Sequence, residues 1–159
     1  MKGRTLVLFA AVLSTSTVRC SDSSGESKQL VDDGVLCVLS GKLDEPVFGF
    51  SETPPQQLQA DQPLAIKVSL PDCLSQSCDV DRKASCEARL EGTTIVVSSR
   101  LEWRSAGESV CTSDCGRLTA SCRTAALPAG SYTVQFGDSP DRSITIPSTL
   151  TPACTGLER

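Results

Sequence analysis

Cysteine is the residue type with the greatest chemical potential in this chain, which has nine cysteines among 159 residues. Six of them form two triplets of similar spacing: Cys73, Cys78 and Cys86, then Cys111, Cys115 and Cys122. Structural zinc sites favour cysteines two to four residues apart, joined by further cysteines or histidines. The chain has no C-x-x-C pair and no histidine. We therefore expect disulfide bonds at these cysteines and no metal site.

The absence of histidine removes the commonest general base and excludes Ser-His-Asp, Cys-His and zinc-histidine mechanisms. Lysine offers no replacement, because Lys42, Lys67 and Lys83 all lack the serine three positions earlier that a Ser-x-x-Lys nucleophile requires. Carboxylate pairs such as Glu87 and Glu91 have the spacing that surface residues show by default. We expect no catalytic residue, no cofactor and no enzymatic activity.

The first 19 residues have the three-part order of a secretory signal peptide. Basic Lys2 and Arg4 precede an apolar run over residues 6–13, and small polar residues follow at 14–17. This apolar run is much shorter than the roughly 20 residues that a helix needs to span a bilayer. We predict that residues 1–19 are a signal peptide and that the chain is exported to an oxidising compartment, where disulfides form.

Cys20 directly follows this signal, and residues 21–28 after it are polar and rich in serine. A cysteine at the end of a short signal, followed by such a tether, resembles the N-terminus of bacterial lipoproteins. The resemblance implies that Cys20 is acylated, becomes the first mature residue and anchors the chain in a membrane. Ser21 in place of an aspartate implies sorting to the outer membrane. Arg19 stands where the family has a small residue, so ordinary cleavage near residues 14–16 and free secretion remain the alternative.

The parity of the cysteines favours the anchored form. Without Cys20 the number is even, as an exported domain prefers, because a leftover thiol invites mispairing. The eight are Cys37, Cys73, Cys78, Cys86, Cys111, Cys115, Cys122 and Cys154. Eight cysteines permit 105 pairings. We expect Cys37 and Cys154 to tie the two ends of the domain, and the two triplets to be joined either to each other or within themselves.

The charge of the mature chain limits its partners. Removing residues 1–19 leaves 12 basic against 19 acidic residues, a net charge of about −7, which disfavours nucleic acid and anionic membrane surfaces. We predict a non-catalytic accessory or scaffolding subunit, anchored in the outer membrane, that binds another envelope protein of secretion, motility or adhesion machinery. The alternative is a freely secreted inhibitor or coat component that uses loops 71–85 and 104–117 as a rigid recognition surface.

Apolar and polar residues alternate with a period of two along much of the chain, which predicts strands. The candidate strands are residues 35–39, 47–50, 64–70, 86–90, 95–103, 118–124, 132–136 and 143–146. Gly92 falls between two of them and predicts a hairpin turn, whereas the polar residues 51–63 predict a loop. We predict an all-β fold, a disulfide-stapled antiparallel β-sandwich over residues 34–159, immunoglobulin-like or jelly-roll-like, after a flexible polar tether at 20–33.

The segment at residues 127–134, Leu-Pro-Ala-Gly-Ser-Tyr-Thr-Val, resembles the start of a strand in immunoglobulin-like and fibronectin-like domains. In those domains a tyrosine just after a glycine-containing corner donates a hydrogen bond back to the backbone. The resemblance implies that Tyr132 makes this bond. It supports a sandwich architecture and implies no function.

Overall fold

A computed structural model describes residues 25–41, 54–107 and 110–155. Over these residues the chain forms strands and no helix. The strands are β1 (Ser27–Val31), β2 (Val35–Ser40), β3 (Gln56–Leu58), β4 (Gln62–Ser69), β5 (Asp79–Glu91), β6 (Thr94–Ser105), β7 (Thr119–Leu127), β8 (Gly130–Phe136), β9 (Arg142–Ile146), β10 (Ser148–Leu150) and β11 (Cys154–Thr155). Cys20 and the predicted strand at 47–50 lie outside the described residues.

Two main sheets form the predicted disulfide-stapled β-sandwich. In the first, β5 pairs with one edge of β6, while β8 and β1 share the other edge and β9 follows β8. The second sheet has the order β11-β2-β4-β7, and β3 pairs with β10 separately. The pairings are antiparallel as predicted, except that β6 and β8 run parallel.

The main core lies between the two sheets, where the alternation in the sequence directs apolar side chains inward. Ile95 and Val97 of β6 are buried in one cluster with Leu64 and Ile66 of β4. On the opposite face of β6, Ser98 is exposed and Val96 is half-buried. Burial of apolar surface drives this association, at about 25 cal/mol per Å². The alternation predicted for residues 95–103 is therefore confirmed as far as Leu101, beyond which the residues of β6 are half-buried on both faces.

The predicted hairpin at Gly92 connects β5 and β6, the two longest strands. Glu91 and Thr94 are the last paired residues before the turn. Gly92 has a φ of 63°, in the left-handed region that glycine adopts without the steric penalty of a Cβ. From this turn the two strands stay paired as far as Asp79 opposite Ser105.

Part of the predicted tether is a strand, which corrects the boundary at residue 33. Strand β1 pairs with β6 over five residues, from Ser27 opposite Arg104 to Val31 opposite Arg100. The polar sequence of β1 gave no strand signal because the strand is mostly exposed and only Leu30 is packed against apolar side chains. Backbone hydrogen bonds to the free edge of β6 hold β1, and these bonds are independent of side-chain type.

The predicted loop at 51–63 also contains a strand, β3. Its Gln56 is buried, and the side-chain carbonyl of Gln56 accepts a hydrogen bond from the Ser40 N–H at 3.0 Å. The Gln56 amide group donates to the Pro54 carbonyl at 2.9 Å. These hydrogen bonds satisfy the polar atoms of the Gln56 side chain, so a glutamine can be buried here although its polarity predicts exposure to solvent.

The sandwich has two ends of different construction. At one end, which we call the corner end, lie the hairpin turn at 92–93 and the corner at 128–130. At the other, the stapled end, lie two loops that we call the stapled loops, residues 71–78 and 110–117. Strand β6 runs from the corner end to the stapled end over 12 residues, a length of roughly 35 Å in a twisted sheet.

Candidate interaction site at the stapled loops

The eight cysteines after Cys20 form four disulfide bonds. The bonds are Cys37–Cys154, Cys73–Cys115, Cys78–Cys111 and Cys86–Cys122. The predicted pairing of Cys37 with Cys154 is present. Of the two arrangements left open for the triplets, the structure has them joined to each other, each cysteine of one triplet bonded to a cysteine of the other. The chemistry of these residues is thus cross-linking of the scaffold.

The four bridges differ in their surroundings. Cys37 is 1% exposed and lies opposite Cys154 in the register of β2 and β11. The Cys86–Cys122 bridge connects β5 to β7 across the side of the sandwich. The other two bridges lie in the stapled loops, where Cys73, Cys111 and Cys115 are exposed. The stapled loops therefore combine solvent exposure with covalent restraint.

The stapled loops are also joined through their backbones. The Leu74 N–H donates to the Gly116 carbonyl at 2.9 Å, and the Gly116 N–H donates back to the Leu74 carbonyl at 2.8 Å. Leu74 is buried against Leu101 and Leu118 in a small apolar cluster beneath the loops. These contacts attach the base of the loops to the end of the sandwich.

Three hydroxyl groups meet where the stapled loops touch. The Ser75 Oγ lies 3.0 Å from the Thr112 Oγ1, and the Ser77 Oγ lies 3.2 Å from each of them. The Thr112 N–H donates to the Ser77 Oγ at 2.9 Å. Each hydroxyl serves as donor and acceptor, so the three form a connected polar cluster across the two loops.

Asp114 and Asp79 complete this polar surface. The Asp114 carboxylate accepts hydrogen bonds from the Gln76 N–H at 3.0 Å and from the Thr112 hydroxyl. The bond from Thr112 is the main reason that the pKa of Asp114 is lowered from its ordinary value. The Asp79 carboxylate accepts from the Ser75 N–H at 2.8 Å.

Arg82 of β5 stabilises the first loop through hydrogen bonds to two backbone carbonyls. Its Nε donates to the Asp79 carbonyl at 2.8 Å, and its Nη2 donates to the Ser75 carbonyl at 2.7 Å. Its Nη1 lies 2.8 Å from the position that a Cβ at residue 116 would take. A side chain at position 116 would therefore require the end of the Arg82 side chain to shift.

Chemically, the stapled loops present a pre-organised polar surface suited to recognition. Gln76, Ser113 and Asp114 are exposed on it, together with Val110, which is 79% exposed. Disulfides and cross-loop hydrogen bonds restrain the loops, and a restrained surface loses little conformational entropy in any contact that it makes. In the described ranges no group of three or more ligating side chains is arranged to hold a metal ion.

The cysteines predicted recognition loops at 71–85 and 104–117, but residues 79–85 belong to β5 and residues 104–105 to β6, so both loops are shorter than predicted. Their hydrogen-bonded cluster was not predicted. The sequence did contain a signal for this cluster in its composition. Each loop has two short polar side chains separated by one residue: Ser75 and Ser77 in the first loop, Thr112 and Asp114 in the second. Short hydroxyl and carboxylate side chains commonly bond to nearby backbone groups in loops. The sequence did not show that the hydrogen bonds would run between the two loops, because that depends on which cysteines pair.

Tyr132, the other residue singled out in the sequence, lies at the corner end. Its hydroxyl donates to the Pro128 carbonyl at 2.9 Å, as the resemblance to immunoglobulin-like corners implied.

No helix in the described part of the chain is long and apolar enough to cross a membrane. A comparison of the chain with protein-family models, curated proteins and solved structures found no match.

Proposed function

We propose that this chain is an exported protein, anchored in the bacterial outer membrane through acylated Cys20, whose β-sandwich binds another envelope protein as a non-catalytic accessory or scaffolding subunit. Four disulfides fit an extracellular or envelope location, because cytosolic thiols are kept reduced. Within that setting, the anchor at Cys20 and the protein partner are separate parts of the proposal.

The observation that carries the anchor is the complete pairing of the other cysteines. The four bridges use eight of the nine cysteines, and the ninth is Cys20. A free ninth thiol would threaten correct pairing during export, whereas acylation removes it from thiol chemistry. The position of Cys20 at the end of a signal-like segment supports the same assignment.

Support for the protein partner comes from the stapled loops. They offer polar groups held in place by two disulfides and by hydrogen bonds between Ser75, Thr112 and Asp114. A rigid surface of this kind favours specific contact with a matching protein surface. The same rigidity supports a second candidate, a freely secreted inhibitor or coat component, if the chain has no anchor.

Intact-mass measurement of the protein isolated from cells separates the two candidates. We expect a membrane-fraction species that begins at Cys20, carries acyl chains and gains eight hydrogens on reduction, two for each disulfide. Alkylation without reduction should add no label, since acylation blocks Cys20. Cys20→Ser should move the protein to the soluble fraction.

A soluble, unacylated species would contradict the anchor and favour the secreted candidate. If that species begins before Cys20, it should take up one alkyl label without reduction, at Cys20. The partner is tested separately by mild detergent extraction, where elution of the acylated protein alone would contradict an accessory role.

A further inference from the structure

The start of the described chain lies at the stapled end of the sandwich. The Glu26 carbonyl accepts a hydrogen bond from the Ser105 N–H at 3.0 Å, and Gly25 lies so close to Ser105 that a Cβ would collide with its carbonyl. The next residue, Ala106, donates its N–H to the carbonyl of Cys78 in the first stapled loop at 2.6 Å. The chain therefore reaches the sandwich beside the stapled loops.

Chain length keeps Cys20 near that end. Five peptide steps connect Cys20 to Gly25, and an extended chain spans at most about 3.6 Å per residue, so Cys20 lies within about 18 Å of Gly25. The corner end lies roughly 35 Å farther away, at the other end of the 12 residues of β6. A membrane attached at Cys20 is consequently much closer to the stapled loops than to the corner end.

On this geometry we propose that the stapled loops face the membrane and that their partner is the exposed surface of an integral membrane protein. This inference rests on the proposed anchor at Cys20. Strand β1 is paired with β6 through backbone hydrogen bonds over its five residues. The residues before β1 can therefore reach the corner end only if β1 separates from β6. The corner end then points away from the membrane.

The composition of the loops favours a protein over the lipid itself. Over residues 71–78 and 110–117 the charged side chains are Asp72, Asp114 and Arg117, with no lysine. Anionic lipid surfaces attract clusters of basic residues, which these loops lack. Val110 is the one exposed large hydrophobic residue within them, too little apolar surface for insertion. Their hydroxyl, amide and carboxylate groups instead suit the hydrogen bonds of a protein interface.

The placement is tested with full-length acylated protein in vesicles that carry an acceptor dye on the lipid headgroups. A fluorescent noncanonical amino acid replaces Val110 at the stapled end or, as the matched control, exposed Thr93 at the corner end. We expect energy transfer from position 110 to exceed that from position 93 at least about twofold, because roughly 35 Å separates the two ends.

The outcomes distinguish the two proposals. If the wild-type protein fails to float with vesicles and behaves like Cys20→Ser, the anchor is wrong and this inference falls with it. If the protein floats but position 93 transfers as much energy as position 110, or more, the anchor stands and the membrane-facing placement is overturned.

The partner class is tested by photo-crosslinking in intact cells from position 76, with position 93 as the control. We expect an adduct from position 76 to one integral membrane protein, resistant to alkaline extraction of the membrane, mapped by mass spectrometry and abolished by Ser113→Arg on the neighbouring loop. Only lipid adducts at position 76 would assign the loops to the bilayer. No adduct there, or an equal yield of protein adduct at position 93, would also overturn the proposal.

Discussion

The two ends of the sandwich are stabilised by different physical means. At the corner end the strands are closed by core packing around Leu127 and by the hydrogen bond from Tyr132 to Pro128. At the stapled end the loops have a small apolar base, and two disulfides with a network of side-chain hydrogen bonds fix the rest. At the stapled end, disulfides and side-chain hydrogen bonds take the place of core packing, and the surface that they fix remains exposed.

The largest expected effect tests the corner end. Leu127→Ala removes a side chain that is 0% exposed, so the lost burial and the cavity should lower the free energy of unfolding by about 3 to 4 kcal/mol. Urea denaturation measures this change. Leu90→Ala is the matched control, because Leu90 is 41% exposed and should cost under about 1 kcal/mol. Equal losses in the two variants would show that packing does not distinguish this end.

The next effect tests the stapled end. Replacing Cys73 and Cys115 by alanine opens a short closed loop, since Cys78–Cys111 still joins the two segments, and should lower the free energy of unfolding by about 2 to 3 kcal/mol. Amide exchange should accelerate locally at Gln76 and Leu74 while the exchange of core strands changes little.

A serine pair at the same two positions serves as the control for side-chain polarity and should behave like the alanine pair. Unchanged amide exchange at Gln76 in both pairs would show that hydrogen bonds alone order the loops, which would remove the distinction drawn between the two ends.

A smaller effect isolates the polar part of the corner end. Tyr132→Phe removes the hydroxyl that donates to the Pro128 carbonyl and keeps the buried ring, so the free energy of unfolding should fall by about 1 kcal/mol. Thermal denaturation measures the change. A loss as large as that of Leu127→Ala would mean that the corner depends on the hydrogen bond more than on packing.

The smallest effect concerns pH at the stapled end. The hydrogen bond from Thr112 lowers the pKa of Asp114 in the folded protein below its ordinary value of 3.8. Its stabilising contribution is therefore fully present above that ordinary value and is lost as the pH falls through the lower folded value. Between pH 6 and pH 3 the wild-type protein should lose slightly more stability than Asp114→Asn. Because Asp114 is exposed, the effect is small, and an identical loss in both proteins would contradict it.

The prediction of the fold from sequence succeeded where a strand has one buried face. The alternation in β6 marked its inward side chains correctly, and Gly92 marked the hairpin between β5 and β6. In β4 the half-buried strand that the alternation predicts is wrong, because Ala65, Lys67 and Ser69 on the other face are buried as well. The prediction failed at β1 and β3. Strand β1 is held by backbone pairing, and β3 includes a buried glutamine, so neither leaves the apolar alternation that a sequence pattern detects.

For the candidate site, the sequence supplied the residue types but not their neighbours. Cys73, Cys78, Cys111 and Cys115 marked two loops that disulfides would restrain, yet 105 pairings of the eight cysteines were possible. The meeting of Ser75 with Thr112, 37 residues apart in the chain, follows only once β5 and β7 are brought to the same side of the sandwich.

By itself the sequence determined the all-β class, the inward faces of the longer strands and the redox chemistry of the cysteines, because each depends on local periodicity or on residue type. Tertiary structure decided the four pairings, the hydrogen-bonded surface of the stapled loops and the docking of β1 beside them. These features depend on which distant segments meet. Which segments meet is fixed by the packing of the two sheets around the main core and by pairing at a free strand edge, neither of which leaves a local signal in the chain.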